Sequence, residues 1–297
     1  MITIFTPTYN RKEKLIRLYH SLVYQTNKNF EWIIVDDGST DNTKIEIEKM
    51  KKEGKIKITA IYQKNYGKHV AMNKAFDVNK NRFFMCVDSD DYLSKDAIQI
   101  LTKLANKFNR NIWAIVGPRV HENGSLETSW NIQNVKEIKF ADIYNKYKYK
   151  GETYILIDIY KINHFRFPYF NSEILCPENI LYDYMDRKYN IISVKNKIYI
   201  SDYQVDGYTK NVKKIYRICP YGMAISNLSQ SSNYYYSLKK RMIAYARYMA
   251  IIKVFSLDIR KLNFQYEIKW YVKMLSVFIF PILFIHNKRK IKEQKED

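Results

Sequence analysis

Asp88-Ser89-Asp90-Asp91 places three carboxylates within four positions. Such a cluster repels itself unless its members cap a turn or a helix, or a cation sits among them. Hard cations such as Mg²⁺ and Mn²⁺ take oxygen ligands, commonly one or two carboxylates plus the phosphates of a substrate. A second acidic pair, Asp36-Asp37, opens a Gly-Ser-Thr segment. It suits a turn, with Asp41 capping the helix that follows, or a second part of the same cation-binding site.

The surrounding pattern brings both acidic segments to one place. Short apolar runs at 2–5, 32–35, 56–62, 82–87 and 112–116 read as strands. Helical stretches at 12–25, 68–78 and 95–108, and one reaching residue 52, alternate with them. The run 32–35 is apolar without alternation, as in strands buried on both faces. Strands alternating with helices predict right-handed βαβ units and a parallel sheet. Ligands of such sheets bind at the carboxyl ends of the strands. The polar segments 6–10, 36–40 and 88–91 all fall there.

Alternation is less regular from 118 to 205. Asn123-Gly124 reads as a hairpin turn, 154–160 and 198–200 as strands, and 177–189 as a short helix. Residues 238–285 read as helical, with Arg241, Arg247, Lys253, Arg260, Lys261, Lys269 and Lys273 among apolar and aromatic residues. The polar tail 287–297 is expected to fray.

The chain has 297 residues, 46% hydrophobic and 27% charged, which fits one large or two modest globular domains. Three cysteines (Cys86, Cys176, Cys219) exclude a disulfide scaffold and a four-cysteine zinc site, and they fit a reducing cytosol. The net charge is +20, unevenly spread: residues 206–297 carry 18 basic and 6 acidic side chains, residues 1–205 carry 32 and 24. A field of that sign attracts nucleic acid or an anionic membrane face. The opening MITIFTPTYN lacks the basic start of a signal peptide, and no run of 18 apolar residues is present. The nearest is 274–285, interrupted by Pro281. His121 and His164 lack metal-ligand spacing, and no G-x-S-x-G nucleophile pattern occurs.

Phe5-Thr-Pro-Thr-Tyr-Asn10, Ser21-Leu-Val-Tyr-Gln-Thr26, Phe30-Glu-Trp-Ile-Ile-Val-Asp-Asp-Gly-Ser-Thr-Asp41, Asn65-Tyr-Gly-Lys-His-Val-Ala-Met-Asn73 and Asp88-Ser-Asp90 follow one another in order. Together they resemble the family 2 glycosyltransferases of GT-A fold, as found in bacterial surface-polysaccharide synthesis. The last of these segments resembles that family's DXD motif. Residues 118–210 match more loosely, through Gly151-Glu152, Phe167-Pro168, Glu173, Pro177-Glu178 and Tyr203…Gly207-Tyr-Thr209. Residues 211–297 carry none of the segments on which this resemblance rests. The resemblance implies an α/β, GT-A type, Rossmann-like, mostly parallel sheet flanked by helices, with a basic helical C-terminal extension. Residues 1–117 would form the nucleotide-sugar half, 118–210 the acceptor half, and 211–297 a helical region.

The same resemblance implies roles. Thr6, Pro7, Thr8, Tyr9 and Asp37 would receive the uracil or other base of a nucleotide-sugar, with Asp36 as the competing carboxylate. Asp88, with Ser89 beside it, would reach ribose or sugar hydroxyls. Asp90 would hold Mg²⁺ or Mn²⁺. Lys68 would lie by the diphosphate, with Asn65 and Asn73 nearby. Glu178 in Cys176-Pro177-Glu178-Asn179 would take the acceptor proton; the competing role is helix-dipole stabilisation in a first turn started by Pro177. Glu173, Asp183 and Asp186 are substitutes. Many relatives carry Glu-Asp where this chain has Glu178-Asn179. Trp130, Tyr154 and Tyr203 could stack on sugar faces or simply pack.

The resulting expectation is a metal-dependent inverting transfer from a nucleotide-sugar, a UDP-sugar first, to a saccharide or lipid-linked acceptor. A sugar-nucleotide nucleotidyltransferase competes, but 6–10 lacks the glycines of its phosphate loop. A nucleic-acid-binding role competes on charge, yet carboxylate-lined strand ends and the absence of a zinc-finger, RRM-like or KH-like signature speak against it. The basic C-terminal third is either a solvated bundle or an interfacial anchor. In the second case residues 239–292 would meet an anionic membrane, with Phe278, Phe280, Leu283 and Phe284 inserted and Lys273, Lys288, Arg289 and Lys290 at the headgroups. The expected location is cytoplasmic and peripheral on the inner face of the cell membrane.

Overall fold

The computed structural model describes residues 1–162, 164–170, 173–201, 217–262 and 266–293. The chain packs as two compact units: Met1–Arg166 with Lys188–Gly207, and Phe167–Arg187 with Tyr208–Asp297.

The first unit is a mixed α/β sheet. Strands β1 (Ile2–Thr8), β2 (Phe30–Asp36), β3 (Ile58–Tyr62) and β4 (Phe83–Cys86) pair in parallel in the order β3-β2-β1-β4. Helices α1 (Lys12–Val23), α2 (Thr43–Glu53) and α3 (Lys68–Val78) connect them, as the alternation predicts. All seven residues of β2 are buried, which is why its sequence does not alternate. Leu15, Leu18 and Leu22 recur at helical spacing on α1, and all three are fully buried in the core with Ile4, Trp32 and Ile34.

Beyond β4 the sheet turns antiparallel. β8 (Thr153–Asp158) joins β4 to β6 (Ile112–His121), which pairs in parallel with β9 (Asn190–Ser193) and β10 (Tyr199–Ser201). The two-residue β5 (Tyr92–Leu93) edges β10, and β7 (Lys136–Ile138) pairs with β9. Helix α4 (Ala97–Ala105) is shorter than the expected 95–108. Strand β6 is longer than the sequence implies, continuing through Gly117-Pro118 to His121. The Asn123-Gly124 turn is present, closed by the Gly124 amide on His121 O at 2.8 Å, but no strand directly follows it. Trp130 and Tyr154 are core residues: Trp130 packs edge-on against Tyr149, and Tyr154 is fully buried. They are not open stacking platforms. Tyr203 and Gly207-Tyr-Thr209 lie outside the described residues.

The second unit is helical. Asn179–Asp186 replaces the expected helix over 177–189, and Pro220–Ser232, Leu238–Phe255 and Trp270–Glu293 follow. The single helical stretch expected over 238–285 is broken, because Ser256 ends one helix in the left-handed region (φ 49°). The helix Trp270–Glu293 continues through most of the tail expected to fray. Its last turns are rich in Lys and Arg, a composition favoured at a helix C-terminus.

Candidate active site

Parallel pairing of β1 with β2 and β4 sets Thr8 opposite Asp36 and Phe5 opposite Cys86. The segments after these strands therefore emerge on one edge of the sheet. Hydrogen bonds stitch them together. The Asp37 amide donates to Thr8 O at 2.8 Å, and the Val87 amide to Phe5 O at 2.8 Å. Asn10 Oδ1 accepts from the Thr40 amide at 2.7 Å. Gly38 holds φ +84°, and a Cβ there would lie 2.9 Å from the Asn65 amide nitrogen, so the turn accepts only glycine.

The expected base-binding residues divide. Tyr9 is exposed and Pro7 half-buried, whereas Thr8 is buried with its hydroxyl lacking a hydrogen-bond partner among the described residues. Thr6 departs from the expectation. It is fully buried and its hydroxyl accepts the Trp32 indole N–H at 2.9 Å, because β1 turns that side chain into the core. Asp36 Oδ1 accepts the Ser39 amide at 2.9 Å. Asp37 Oδ1 accepts from Gln63 Nε2 at 2.6 Å and the Tyr66 amide at 2.8 Å, and Oδ2 accepts the Gly67 amide at 2.8 Å. Asp37 thus braces the loop before α3, and one of roughly four carboxylate acceptor positions stays open. Burial raises its pKa against those three donors, with Asp36 adding to the rise.

The acidic tip of β4 is interlocked. Lys68, in the first turn of α3, places Nζ 2.6 Å from Asp88 Oδ1. Arg119 Nη1 reaches Asp88 Oδ2 at 3.2 Å, Asp91 Oδ2 at 3.2 Å and Glu152 Oε2 at 2.9 Å. Tyr199 donates its hydroxyl to Asp91 at 2.8 Å and accepts the Asp88 amide at 3.0 Å. Burial alone would raise Asp88, but Lys68 and Arg119 outweigh it and hold the carboxyl well below its usual range. Burial pushes Asp91 the other way, to about 7, with Asp88 and Asp90 reinforcing it against Arg119. Ser89 is buried, Asn65 is exposed, and Asn73 sits half-buried on α3.

Arg119, Tyr199 and Arg17 were not singled out from the sequence. Arg17 donates to the Asp90 backbone oxygen at 2.5 Å and stacks over Tyr92 at 4.9 Å. Their signal was faint: an arginine on a strand past a Gly-Pro pair, one tyrosine among 27, and an arginine inside an amphipathic helix.

The donor set decides what cation could fit. Both Asp88 oxygens are in ion pairs and Asp91 is held by Tyr199 and Arg119. Among the described residues, no cluster of three or more acidic, His or Cys groups is arranged to hold a metal. No hydrogen bond or ion pair engages the Asp90 carboxylate among the described residues. One free carboxylate suits Mg²⁺ or Mn²⁺ when a diphosphate and waters complete the shell.

In the helical unit, Glu178 occupies the position just before helix Asn179–Asp186 and accepts the Tyr182 hydroxyl at 2.5 Å. Its three substitutes are differently placed. Glu173 accepts the Tyr221 and Gly222 amides, each at 2.7 Å, at the start of helix Pro220–Ser232. Asp183 accepts Asn179 and Asn233 side-chain amides at 3.0 Å each, and Asp186 is buried.

The profile of Glycosyl transferase family 2 matches residues 3–175. The chain belongs to this family. A putative teichuronic acid biosynthesis glycosyltransferase, TuaG of Bacillus subtilis, is 34% identical over 100 residues, 33% of this chain and 39% of TuaG. An uncharacterized glycosyltransferase of Rickettsia conorii is 36% identical over 108 residues, 36% of this chain and 18% of that protein. The chain thus spans well under half the length of these curated relatives. Likeness of fold covers more of the chain. The crystal structure of Staphylococcus aureus TarS 1–349 in complex with UDP-GlcNAc matches 99% of this chain and 91% of that one, with TM-score 0.65 and 16% identity. A Pyrobaculum calidifontis mannosyltransferase in complex with GDP-Man and Mn²⁺ matches with TM-score 0.55 and 13% identity, over 98% of this chain and 84% of its own. The mostly parallel, helix-flanked α/β sheet is the GT-A architecture.

Proposed function

We propose that the chain is a metal-dependent, inverting glycosyltransferase. It moves a sugar from a nucleotide-sugar to a hydroxyl of a saccharide or lipid-linked acceptor in bacterial surface-polysaccharide synthesis. The observation that carries this reading is the Lys68–Asp88–Arg119 arrangement beside the unengaged Asp90 carboxylate, at the edge where a parallel sheet receives ligands. A UDP-sugar is the first donor to test, because TarS was crystallised with UDP-GlcNAc.

Pro7, Thr8 and Tyr9 receive the base, and the open acceptor position of Asp37 takes a ring N–H. Asp88 and Ser89 face sugar hydroxyls. Lys68, with Asn65 and Asn73, flanks the diphosphate. Asp90 would hold Mg²⁺ or Mn²⁺, which offsets the charge building on the departing diphosphate. The acceptor oxygen attacks the anomeric carbon opposite the leaving group. The new C–O bond forms as the bond to the diphosphate breaks, the bonding pair leaves with the nucleotide, and Glu178 takes the hydroxyl proton. One such displacement inverts the anomeric centre.

The enzyme works at the inner face of the cell membrane, drawn there by the cationic 239–292 segment. That segment holds 13 basic and 2 acidic residues.

A donor screen tests the catalytic reading. UDP-, GDP-, CDP- and dTDP-sugars are incubated with either cation, and nucleotide release is measured for wild type and Asp90→Ala. Release that depends on the cation and collapses in the variant supports the reading. Equal release by both proteins refutes the metal role of Asp90.

A further inference from the structure

Among the described residues no helix is long and apolar enough to cross a membrane. The helix Trp270–Glu293 nonetheless carries two faces of different kinds. Val272 and Ser276 are buried, and Ser276 Oγ donates to Met242 O at 3.0 Å, so this face lies against helix Leu238–Phe255. The opposite face presents Trp270, Met274, Val277, Phe278, Ile282 and Ile285, all exposed, with Pro281 between them. Trp270, Phe278 and Ile282 are 70%, 76% and 70% exposed. Spacings of three and four residues, with Val277 and Phe278 side by side, make these positions one continuous stripe with no polar interruption.

Phe278 is outward as expected, but Phe280, Leu283 and Phe284 are half-buried. Phe280 and Phe284 stack on each other, with Lys253 Nζ of helix Leu238–Phe255 5.7 and 5.2 Å from their rings. Arg289 and Lys290 have side chains outside the described set.

Charge says what covers the stripe. Lys269 and Lys273 are exposed along one border, and Lys288 is exposed just beyond Ile285. The only acidic residues of 239–292 are Asp258 and Glu267, and each is paired locally, with Arg260 at 2.9 Å and Lys269 at 3.2 Å. A second copy of the chain docking by symmetry would bring these cationic borders together unpaired. An anionic lipid surface matches both the stripe and its borders. From Trp270 to Ile285 the helix runs only about 23 Å, at 1.5 Å per residue, so it suits lying in the interface plane.

We propose that the outward face of helix Trp270–Glu293 inserts, parallel to the surface, into the headgroup–acyl boundary of an anionic bilayer, with Trp270 at its leading end. This deepens the membrane location given under Proposed function and rests on it, by specifying apolar insertion where that reading needs only electrostatic attraction.

The four tryptophans make a selective test. Trp32 and Trp113 are fully buried and Trp130 nearly so, which leaves Trp270 to report a change of surroundings. The full chain is mixed with equimolar phosphatidylglycerol/phosphatidylcholine vesicles and, separately, with pure phosphatidylcholine vesicles. Flotation, tryptophan emission and quenching by brominated acyl chains are recorded. Insertion gives co-flotation with the anionic vesicles, a blue-shifted emission and quenching. Trp270→Phe removes the shift but not the flotation. Phe278→Glu/Ile282→Glu lowers partitioning about a hundredfold, while nucleotide release in solution stays at the wild-type rate. Flotation with unshifted, unquenched emission overturns insertion and leaves the electrostatic reading standing. No flotation overturns both. Lipid-free, concentration-dependent self-association lost in the double variant assigns the face to a second copy and also overturns the proposal.

Discussion

Arg119 lies over the Tyr199 ring, its guanidinium carbon 4.2 Å from the centroid, while the Tyr199 hydroxyl donates to the same Asp91 oxygen that Arg119 contacts. The planar cation therefore has two jobs, stacking and bridging carboxylates. A lysine ammonium does neither well. Arg119→Lys should lower kcat/KM for the nucleotide-sugar about a hundredfold, as misplacing Asp88 would. Arg119→Met should also destabilise the fold by about 3 kcal/mol, since Asp91 loses its cation in a buried setting. Urea denaturation and donor saturation curves measure both. Wild-type values for Arg119→Lys would refute a positioning role.

The 2.6 Å Lys68–Asp88 pair predicts a different signature. Lys68 is partly exposed and Arg119 still pairs Asp88 in its absence, so its loss should cost less stability than the loss of Arg119. Lys68→Ala should raise the donor KM about tenfold, the size of one screened charge-assisted contact, and Lys68→Arg should recover part of it. A fall in kcat with unaltered KM would instead place Lys68 against the transition state alone.

How legible was this site in the sequence? Helix Lys68–Val78, the strand ending in Asp36 and the strand leading to Asp88 follow directly from apolar periodicity, and the ordered motifs name the family. Arg119 escaped because Gly117-Pro118 reads as the end of a strand. In the fold Pro118 stays in register opposite Thr153, and Gly117 leaves the space filled by the Tyr154 ring. The strand therefore runs on and delivers Arg119 to Asp88. The outward face of the terminal helix is hidden in the sequence for a related reason. Almost every position from 274 to 285 is apolar, so periodicity cannot choose a side and only packing against helix Leu238–Phe255 does.

His69 follows Lys68 on α3 and is buried, both ring nitrogens lacking a hydrogen-bond partner among the described residues. Burial lowers its pKa from 6.5 to about 4. The unfolded chain therefore binds a proton that the folded chain refuses between those values. Its contribution is complete above the unfolded pKa and is lost as pH falls toward the folded one, by about 3 kcal/mol in all. Thermal melts of wild type should drop between about pH 6.5 and 4.5, and His69→Leu should flatten that slope. Parallel slopes for the two proteins would show that His69 is not the group refused a proton.

Glu173 and Glu178 are five residues apart and should respond oppositely to the same change. Glu173 receives two amides at 2.7 Å from the start of helix Pro220–Ser232. A glutamine there turns an NH₂ toward one donor, so Glu173→Gln should cost about 1–3 kcal/mol of stability and lower activity only through the folded fraction. Glu178 accepts the Tyr182 hydroxyl, a bond that the side-chain oxygen of a glutamine can also accept. Glu178→Gln should therefore keep stability and donor binding and lose transfer by about 10²–10⁴-fold, the range for a removed general base. Melts, calorimetric donor titration and transfer assays on both variants separate the cases. Full transfer by Glu178→Gln would move the proton acceptor to another residue.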